Sequence, residues 1–295
     1  MASIKKTTDE AIRDASAGRV NDLLDQIERE TGVEVLYAVE SGSRAWGFES
    51  PNSDYDVRFI YREPPAQAFR LFPGRDVIEK TVAFGVDGSG VPVDMVGWSL
   101  AKALALGLSS NPQLAEWSGT AALYRADPRF HEELRTIAGQ SAPRVLAHHY
   151  RGLAKRVMKE YLQQPGSPLG KKYLYAVRST LAAEWMVRNP QVGVSPPVRL
   201  EDLRRDVPTE QRITIAIDEL LAWKLADRWR RRFPVLDDWL ERVNDDLATA
   251  IAKIPEHQVD PQLVEGIWQR CYPEMFGAPD KDPDVAGERL AAMSP

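Results

Sequence analysis

Strand-forming sequence is confined to the first third of the chain, and this asymmetry limits the fold more than any other feature. Short segments rich in β-branched and aromatic residues occur at 33–39, 54–61, 77–84 and 91–96, separated by turn-forming residues. From residue 99 onward strand signals nearly vanish, and apolar residues recur at helical spacing. The sequence therefore predicts a small α/β or α+β domain over 1–125, followed by an all-helical domain over 126–295.

The helices are expected to flank the strands at first and then to follow one another. One helix is predicted at 8–31 and a short one at 66–71. Prolines and glycines separate the later helical segments, which are 99–108, 112–117, 128–138, 143–162, 169–188, 200–205, 209–232, 237–254 and 261–272. The tail after Gly277, rich in proline, aspartate and alanine, is expected to be loosely held.

Two aspartates share one face of the second predicted strand. Side chains alternate along a strand, so Asp54, Asp56 and Arg58 lie on one face, and the aromatic and apolar residues between them lie on the other. Like charges this close raise each other's pKa unless a cation neutralises them, and paired carboxylates suit hard cations such as Mg²⁺. Taken alone, so short a pattern is more typical of two solvated aspartates on an exposed strand.

A third aspartate interrupts the last apolar strand segment. Asp94 lies between Val93 and Met95, where an aspartate is costly unless it is paired, hydrogen-bonded or bound to a metal. If this strand lies beside the one that carries Asp54 and Asp56, three carboxylates converge. Such a constellation can hold two metal ions that clamp the attacking and leaving oxygens of a phosphoryl transfer.

A glycine-serine turn follows the first strand. Gly42 and Ser43 can present backbone N–H groups and a hydroxyl to phosphate oxygens, and Arg44 and Arg58 can add charge-assisted contacts. A Gly-Ser turn by itself is common in loops, so its meaning depends on the aspartates that follow.

The combination resembles the polymerase-β nucleotidyltransferase superfamily. The shared pattern is Gly42-Ser43, ten intervening residues, Asp54-x-Asp56 and a later strand aspartate, Asp94. The longer strings GSRAWGFESPNSDYDVRFIY, VDMVGWSLAKALALGLSSNPQLAEW and GKKYLYAVRSTLAAEW are similar to the nucleotidyltransferases associated with RNA ligases and RNA repair. The resemblance covers roughly residues 35–200. It implies an α+β fold, in which a palm-like catalytic core with a small mixed sheet is followed by a helical domain that binds nucleotide or substrate.

The resemblance also implies a role for each motif residue. Gly42 and Ser43 would cradle the β- and γ-phosphates of a nucleoside triphosphate, with ATP favoured. Asp54 and Asp56 would hold the nucleotide-bound Mg²⁺, with Mn²⁺ as an alternative, and Asp56 would bridge to a second ion. Asp94 would ligate that second ion and help activate the attacking hydroxyl, with pyrophosphate leaving.

Positive charge is concentrated in the helical part. Residues 141–190 hold nine basic and two acidic residues, a net +7, which leaves −12 for the remainder of a chain whose total is −5. A local cationic field suits an anionic partner such as a nucleotide or RNA, although a solvated helix surface explains it equally well.

Lys171 or Lys172 is predicted to meet the triphosphate, and Tyr173 or Tyr175 to stack on a base. Arg151, Lys155 and Lys159 form a ridge that either follows an RNA backbone or faces water; they are spaced at i, i+4 and i+8.

Several classes of protein are excluded or disfavoured. No segment has the roughly 20 apolar residues that a membrane helix requires, and the first residues lack the apolar core of a secretory signal. The single cysteine, Cys271, rules out an internal disulfide framework and a cysteine-rich zinc site. A cytoplasmic protein is the expectation, and the oligomeric state is left open.

Three functions remain in competition. The favoured one is an Mg²⁺-dependent enzyme that adds a nucleoside monophosphate to a hydroxyl acceptor, with an RNA end as the favoured acceptor. The second is nucleotidyl transfer, for example of AMP, to a protein or small molecule. The third is a non-catalytic, antitoxin-like module that binds RNA or protein, against which the intact Asp54, Asp56 and Asp94 argue.

Overall fold

The fold was obtained as a computed structural model, which describes residues 2–84, 90–225 and 230–276. Its five strands are β1 Glu34–Glu40, β2 Tyr55–Arg62, β3 Val77–Ala83, β4 Pro92–Ser99 and β5 Leu123–Ala126. The helices before β5 are α1 Ala2–Thr31, α2 Gly42–Ala45, α3 Pro65–Ala68, α4 Leu100–Leu108 and α5 Pro112–Gly119. Those after it are α6 Pro128–Ala138, α7 Pro143–Val157, α8 Gly170–Arg188, α9 Leu200–Asp206, α10 Gln211–Leu225, α11 Pro234–Ile251, α12 Pro261–Cys271 and α13 Pro273–Phe276. A π-helical turn, Met158–Leu162, continues α7.

The strands form one mixed sheet in the order β3-β4-β2-β1-β5. The central pair β2 and β4 is parallel, whereas the other neighbouring pairs are antiparallel. The α+β class with a small mixed sheet, predicted from the sequence, is therefore confirmed. The parallel central pair matters for function because it brings the start of β2 and the start of β4 to the same level of the sheet.

The alternation of β2 places its apolar residues against α1. Val57, Phe59 and Tyr61 are buried in a core that also contains Leu24 and Ile27 of α1. The opposite face carries Asp56 and Arg58 near the start of the strand and the buried Ile60 further along. Polar residues thus occupy one end of that face, and the helices α4, α5, α6 and α12 cover the other end.

One strand was missed, and several helix boundaries differ from the sequence prediction. Strand β5 lies beyond residue 99, where no strand was expected. It was missed because its four residues, Leu-Tyr-Arg-Ala, are too few to show alternation. The helix predicted at 143–162 ends in the π-helical turn. The helix predicted at 209–232 ends at Leu225; residues 226–229, like the tail after Phe276, lie outside the described residues.

The helices beyond residue 125 pack in two different places: some form a separate helical core, and others pack against the sheet. Helix α8 lies at the centre of a helical core against α7, α10 and α11. Phe130 of α6 and Ile267 of α12, by contrast, share a core with Tyr37 of β1 and Trp98 of β4. Helices α6 and α12 therefore cover the sheet, although both follow residue 125. The domain division at residue 125 stays a prediction. None of the helices within residues 2–84, 90–225 and 230–276 is both long and apolar enough to cross a bilayer.

Candidate active site

The glycine-serine turn is packed directly against the second aspartate of the D-x-D motif. Gly42 begins α2 with φ at +60°, a conformation that favours glycine. A Cβ atom at this position would lie 2.0 Å from Oδ2 of Asp56, so no side chain fits there. The Ser41 N–H also donates a hydrogen bond of 2.8 Å to the Asp56 carbonyl oxygen. The turn and the carboxylate therefore form one unit.

Asp56 and Asp94 lie side by side on the parallel strands β2 and β4, at the same position of the register. Both side chains are partly exposed, and the Thr81 hydroxyl of β3 donates to Asp94 Oδ1 at 3.5 Å. Asp54 precedes β2 and is exposed. The structure thus brings together two of the three predicted carboxylates as a pair, whereas Asp54 lies just before β2 and outside that pair.

The Arg58 guanidinium bridges the paired carboxylates. Its Nη2 atom lies 3.2 Å from Asp56 Oδ1 and 3.1 Å from Asp94 Oδ2. Its Nη1 atom donates to the carbonyl oxygens of Val57 and Asp94. In the described part of the chain, no three His, Cys, Asp or Glu side chains are grouped closely enough to hold one metal ion. Arg58 supplies the positive charge between Asp56 and Asp94, and its contact with phosphate stays a prediction.

Burial raises the pKa of Asp56 above its usual value. The Arg58 charge opposes this shift, while the charges of Asp94 and Asp54 add to it. The electrostatics of the site therefore favour a further cation beside Asp56, because each added positive charge keeps this carboxyl ionised.

Arg44 has a structural role on the other side of the turn. Its Nη2 and Nε atoms donate to the carbonyl oxygens of Ser53 and Asp54 at 2.7 and 3.1 Å. The guanidinium carbon lies 3.8 Å from the centroid of the Tyr55 ring. Arg44, predicted as a phosphate ligand, thus fixes the segment that leads into β2.

Glu40, at the end of β1, is a site residue that the sequence reasoning missed. It is almost fully buried; its Oε1 accepts from the Asp56 N–H at 2.8 Å, and its Oε2 accepts from the Tyr124 hydroxyl. Burial raises the pKa of Glu40 to about 7. The signal in the sequence was an acidic residue that directly follows the apolar run 35–39, where an unpaired carboxylate is costly.

A cavity of about 760 Å³ lies behind the turn, on the α1 side of the sheet. Its walls include Glu40, Arg44, Tyr55 and Tyr124, together with Arg199 near the start of α9. Neither Asp56 nor Asp94 lines this cavity. The carboxylate pair instead faces the opposite side of the sheet, so the cavity and the pair are separate features.

Aromatic residues from both halves of the chain meet beside the aspartates. Tyr175 of α8 packs edge-on against the Trp46 ring, with centroids 5.3 Å apart, and lies 6.3 Å from the Phe48 ring. Burial raises the pKa of Tyr175, and the charges of Asp56 and Asp54 raise it further. Tyr173, the alternative base-stacking residue, is buried, and its hydroxyl donates to Asp237 at 2.7 Å. Of the two tyrosines, only Tyr175 therefore faces the aspartates.

Three lysines approach the turn from the helical half. Lys171 is exposed, and the Lys172 ammonium lies 3.8 Å from the Tyr161 ring centroid and 5.8 Å from that of Tyr175. Lys224 of α10 is buried and donates to the Phe48 carbonyl oxygen. Burial lowers the pKa of Lys224 to about 8, with smaller contributions from Lys171 and Arg44.

A buried ion pair connects the helical half to the turn. The Arg178 Nη1 atom donates to Glu116 Oε1 at 3.0 Å, and that carboxylate also accepts from Tyr150 and from the Trp46 indole. The Arg178 guanidinium lies over the Trp46 ring at 4.5 Å. Trp46 follows α2 directly, so α8 and α5 fix the end of the glycine-serine turn.

Carboxylates on neighbouring strands, with a glycine-serine turn packed on one of them, are the site features of a nucleotidyltransferase, and this is the class of enzyme to which the protein belongs. The family follows from comparison of the sequence: the family model described as "RNA repair pathway DNA polymerase beta family" matches residues 17–267, which is most of the chain. The chain therefore belongs to this family.

Two individual proteins are also similar. The uncharacterized protein YcgL of Bacillus subtilis (strain 168) is 38% identical over 207 residues, which are 70% of this chain and 75% of that protein. A crystal structure of a nucleotidyltransferase-like protein from Exiguobacterium sibiricum 255-15 matches at 12% identity and covers 85% of this chain and 76% of its own. Its TM-score is 0.25, which is too low for this likeness to carry an argument.

Proposed function

We propose that this chain transfers a nucleoside monophosphate from a nucleoside triphosphate, with ATP favoured, to a hydroxyl at an RNA end. The observation that carries the proposal is the in-register pair Asp56–Asp94 with Gly42 packed against Asp56. Membership of a family described by RNA repair supports RNA as the acceptor. The net +7 of residues 141–190 supports an anionic partner as well. We also propose a cytoplasmic location, because a chain with a single cysteine does not rely on internal disulfide bonds.

The donor set suits a hard divalent cation in its chemistry. Carboxylate oxygens are the ligands that Mg²⁺ prefers, and the bridging Arg58 indicates that this position requires positive charge. Asp56 and Asp94 are the paired residues proposed to hold Mg²⁺, or Mn²⁺ as an alternative, and Asp54 is the third proposed ligand. When bound, the metal would stabilise negative charge on the phosphate oxygens.

In the proposed reaction the acceptor hydroxyl oxygen forms a bond to the α-phosphorus, and the bond from that phosphorus to the bridging oxygen of the β-phosphate breaks. Pyrophosphate leaves with the electron pair of that bond. The proton of the hydroxyl passes to a carboxylate, for which Asp94 is the proposed acceptor. The N–H groups at the start of α2 and the Ser43 hydroxyl are proposed to orient the departing phosphates.

The acceptor class is tested with nucleotides that carry a radiolabel on the α-phosphate. Each ribonucleoside triphosphate is incubated in turn with the protein, Mg²⁺ and one acceptor, either RNAs with defined ends or protein from a cell lysate. We expect label on RNA alone, from one preferred nucleotide. Label on protein alone would replace the RNA acceptor by a protein acceptor.

The matched control for that experiment is Asp76→Asn. Asp76 is an exposed carboxylate before β3, at the end of the sheet away from Asp94, and it pairs with Lys102. This variant removes one surface charge and should transfer label as well as the wild type does. No transfer to either acceptor by the wild type, together with no nucleotide binding by calorimetry, would contradict the proposed function.

A further inference from the structure

Two tyrosine rings and a lysine ammonium group form a row that leads outward from the aspartates. Tyr175 is the inner ring: it packs edge-on against Trp46, the residue that directly follows the glycine-serine turn held against Asp56. Lys172 lies one helical turn nearer the start of α8, and its ammonium is within 6 Å of two rings, those of Tyr175 and Tyr161. We call Tyr175, Lys172 and Tyr161 the acceptor strip.

The outer ring is exposed and held on a rigid support. Tyr161 has 40% of its surface exposed and lies in the π-helical turn, a local geometry that is frequent at functional sites. The chain after it is fixed by Arg232, which donates to the carbonyl oxygens of Leu162, Gln164 and Gly166 at 2.7 to 2.9 Å. The ring is therefore presented to solvent on a well-held segment.

The charge around the strip is positive. Lys155, Lys159 and Lys171 are exposed, and Glu160 is the one acidic residue in the sequence from 155 to 172. Arg151, which the sequence grouped with Lys155 and Lys159, instead donates to the Asn244 carbonyl oxygen at 2.6 Å. The predicted ridge thus loses its first member, and Lys155 and Lys159 remain as exposed cations on the helix that leads to Tyr161.

We propose that the acceptor strip binds the single-stranded end of the RNA acceptor, with an unpaired base stacked on Tyr161 and a backbone phosphate contacted by Lys172. This assignment leaves Lys171 as the lysine predicted to meet the triphosphate. This inference rests on the proposed function and names the surface by which the acceptor reaches the aspartates. Aromatic rings alternating with cations are the usual means of holding single strands without reading their sequence, because every base has a stacking face. A nucleotide substrate alone does not need the outer ring or the lysines beyond it.

The test measures RNA binding separately from transfer. Fluorescence anisotropy with a short, end-labelled, single-stranded RNA and no nucleotide gives the Kd of each variant. We expect Tyr161→Ala to weaken binding about 5- to 100-fold, the range for loss of one base-stacking contact. Tyr161→Phe keeps the ring and should stay within about twofold of wild type. Lys172→Met should lower the slope of log Kd against log salt by about 0.7, as expected for one lost phosphate contact on a single strand.

Two controls separate this inference from the proposed function. Phe72→Ala removes another highly exposed aromatic side chain, in the segment between α3 and β3, and should not change RNA binding. Asp56→Asn should bind the RNA while failing to transfer nucleotide to it. RNA binding that depends on Tyr161, without transfer by the wild type, would support the strip and contradict the proposed function.

Two results would overturn the inference. One is transfer of label to RNA by the wild type together with an unchanged RNA Kd in Tyr161→Ala, which leaves the function standing and rejects the strip. The other is loss of binding to a fluorescent ATP analogue, with RNA binding intact, in Tyr161→Ala. That result would assign Tyr161 to the nucleotide base instead of the acceptor.

Discussion

Asp56→Asn is expected to lower the rate of nucleotidyl transfer at least about a thousandfold, equivalent to roughly 4 kcal/mol of transition-state stabilisation. The amide keeps the shape of the side chain and removes the charge that the proposed metal site requires. Stability should change by less than about 1 kcal/mol, because the loss of one contact to Arg58 is offset by relief of repulsion from Asp94 and Asp54. Initial rates and urea unfolding curves measure the two effects.

The interpretation of that variant depends on both measurements. A folded Asp56→Asn protein with more than a tenth of the wild-type rate would remove Asp56 from the catalytic machinery. Unfolding of the variant would show that Asp56 is structural, and its loss of activity would then carry no information about catalysis. Asp76→Asn serves again as the surface control.

Arg178→Met is expected to destabilise the protein by about 3 to 5 kcal/mol. The arginine side chain is only 2% exposed, and its removal leaves the nearly buried Glu116 without a cation. It also removes the donor to the Val198 carbonyl oxygen and the cation over the Trp46 ring. The shift in the urea midpoint at constant slope measures the loss.

A surface pair and a double variant make the comparison specific. Arg212, paired with Glu210 in solvent, is the matched control, and Arg212→Met should cost less than about 1 kcal/mol. Adding Glu116→Gln to Arg178→Met should recover part of the loss, because the uncompensated charge is then gone. A loss below about 1 kcal/mol in Arg178→Met would contradict the role given to this ion pair.

The sequence predicted the parts of the fold that depend on local pattern. Alternation in β2 placed Val57 and Phe59 on the core face and Asp56 on the other, as the structure has them. The same reasoning left open whether the strand of Asp94 lay beside β2, because strand pairing is long-range. The structure supplies that pairing, in parallel register.

Other site residues could not be assigned from local pattern because their partners are distant in sequence. The contact between Arg58 and Asp94 depends on the pairing of β2 with β4, which the sequence does not show. Lys224 lies on the same face of α10 as the buried residues Ile213, Ile217 and Leu220. The sequence therefore showed a cation at a position expected to be buried. Its partner, the Phe48 carbonyl oxygen, lies 176 residues away in the chain and was not readable.

The central claim is attack on the α-phosphorus with departure of pyrophosphate. It is tested most directly by running the wild-type reaction with the preferred nucleotide labelled either at the α- or at the γ-phosphate, with Mg²⁺ and the RNA acceptor. The account predicts that the α-label appears on the RNA and that an equal amount of γ-label is recovered as pyrophosphate. Transfer of the γ-label to the RNA, or its release as inorganic phosphate without any α-label on the RNA, would contradict it.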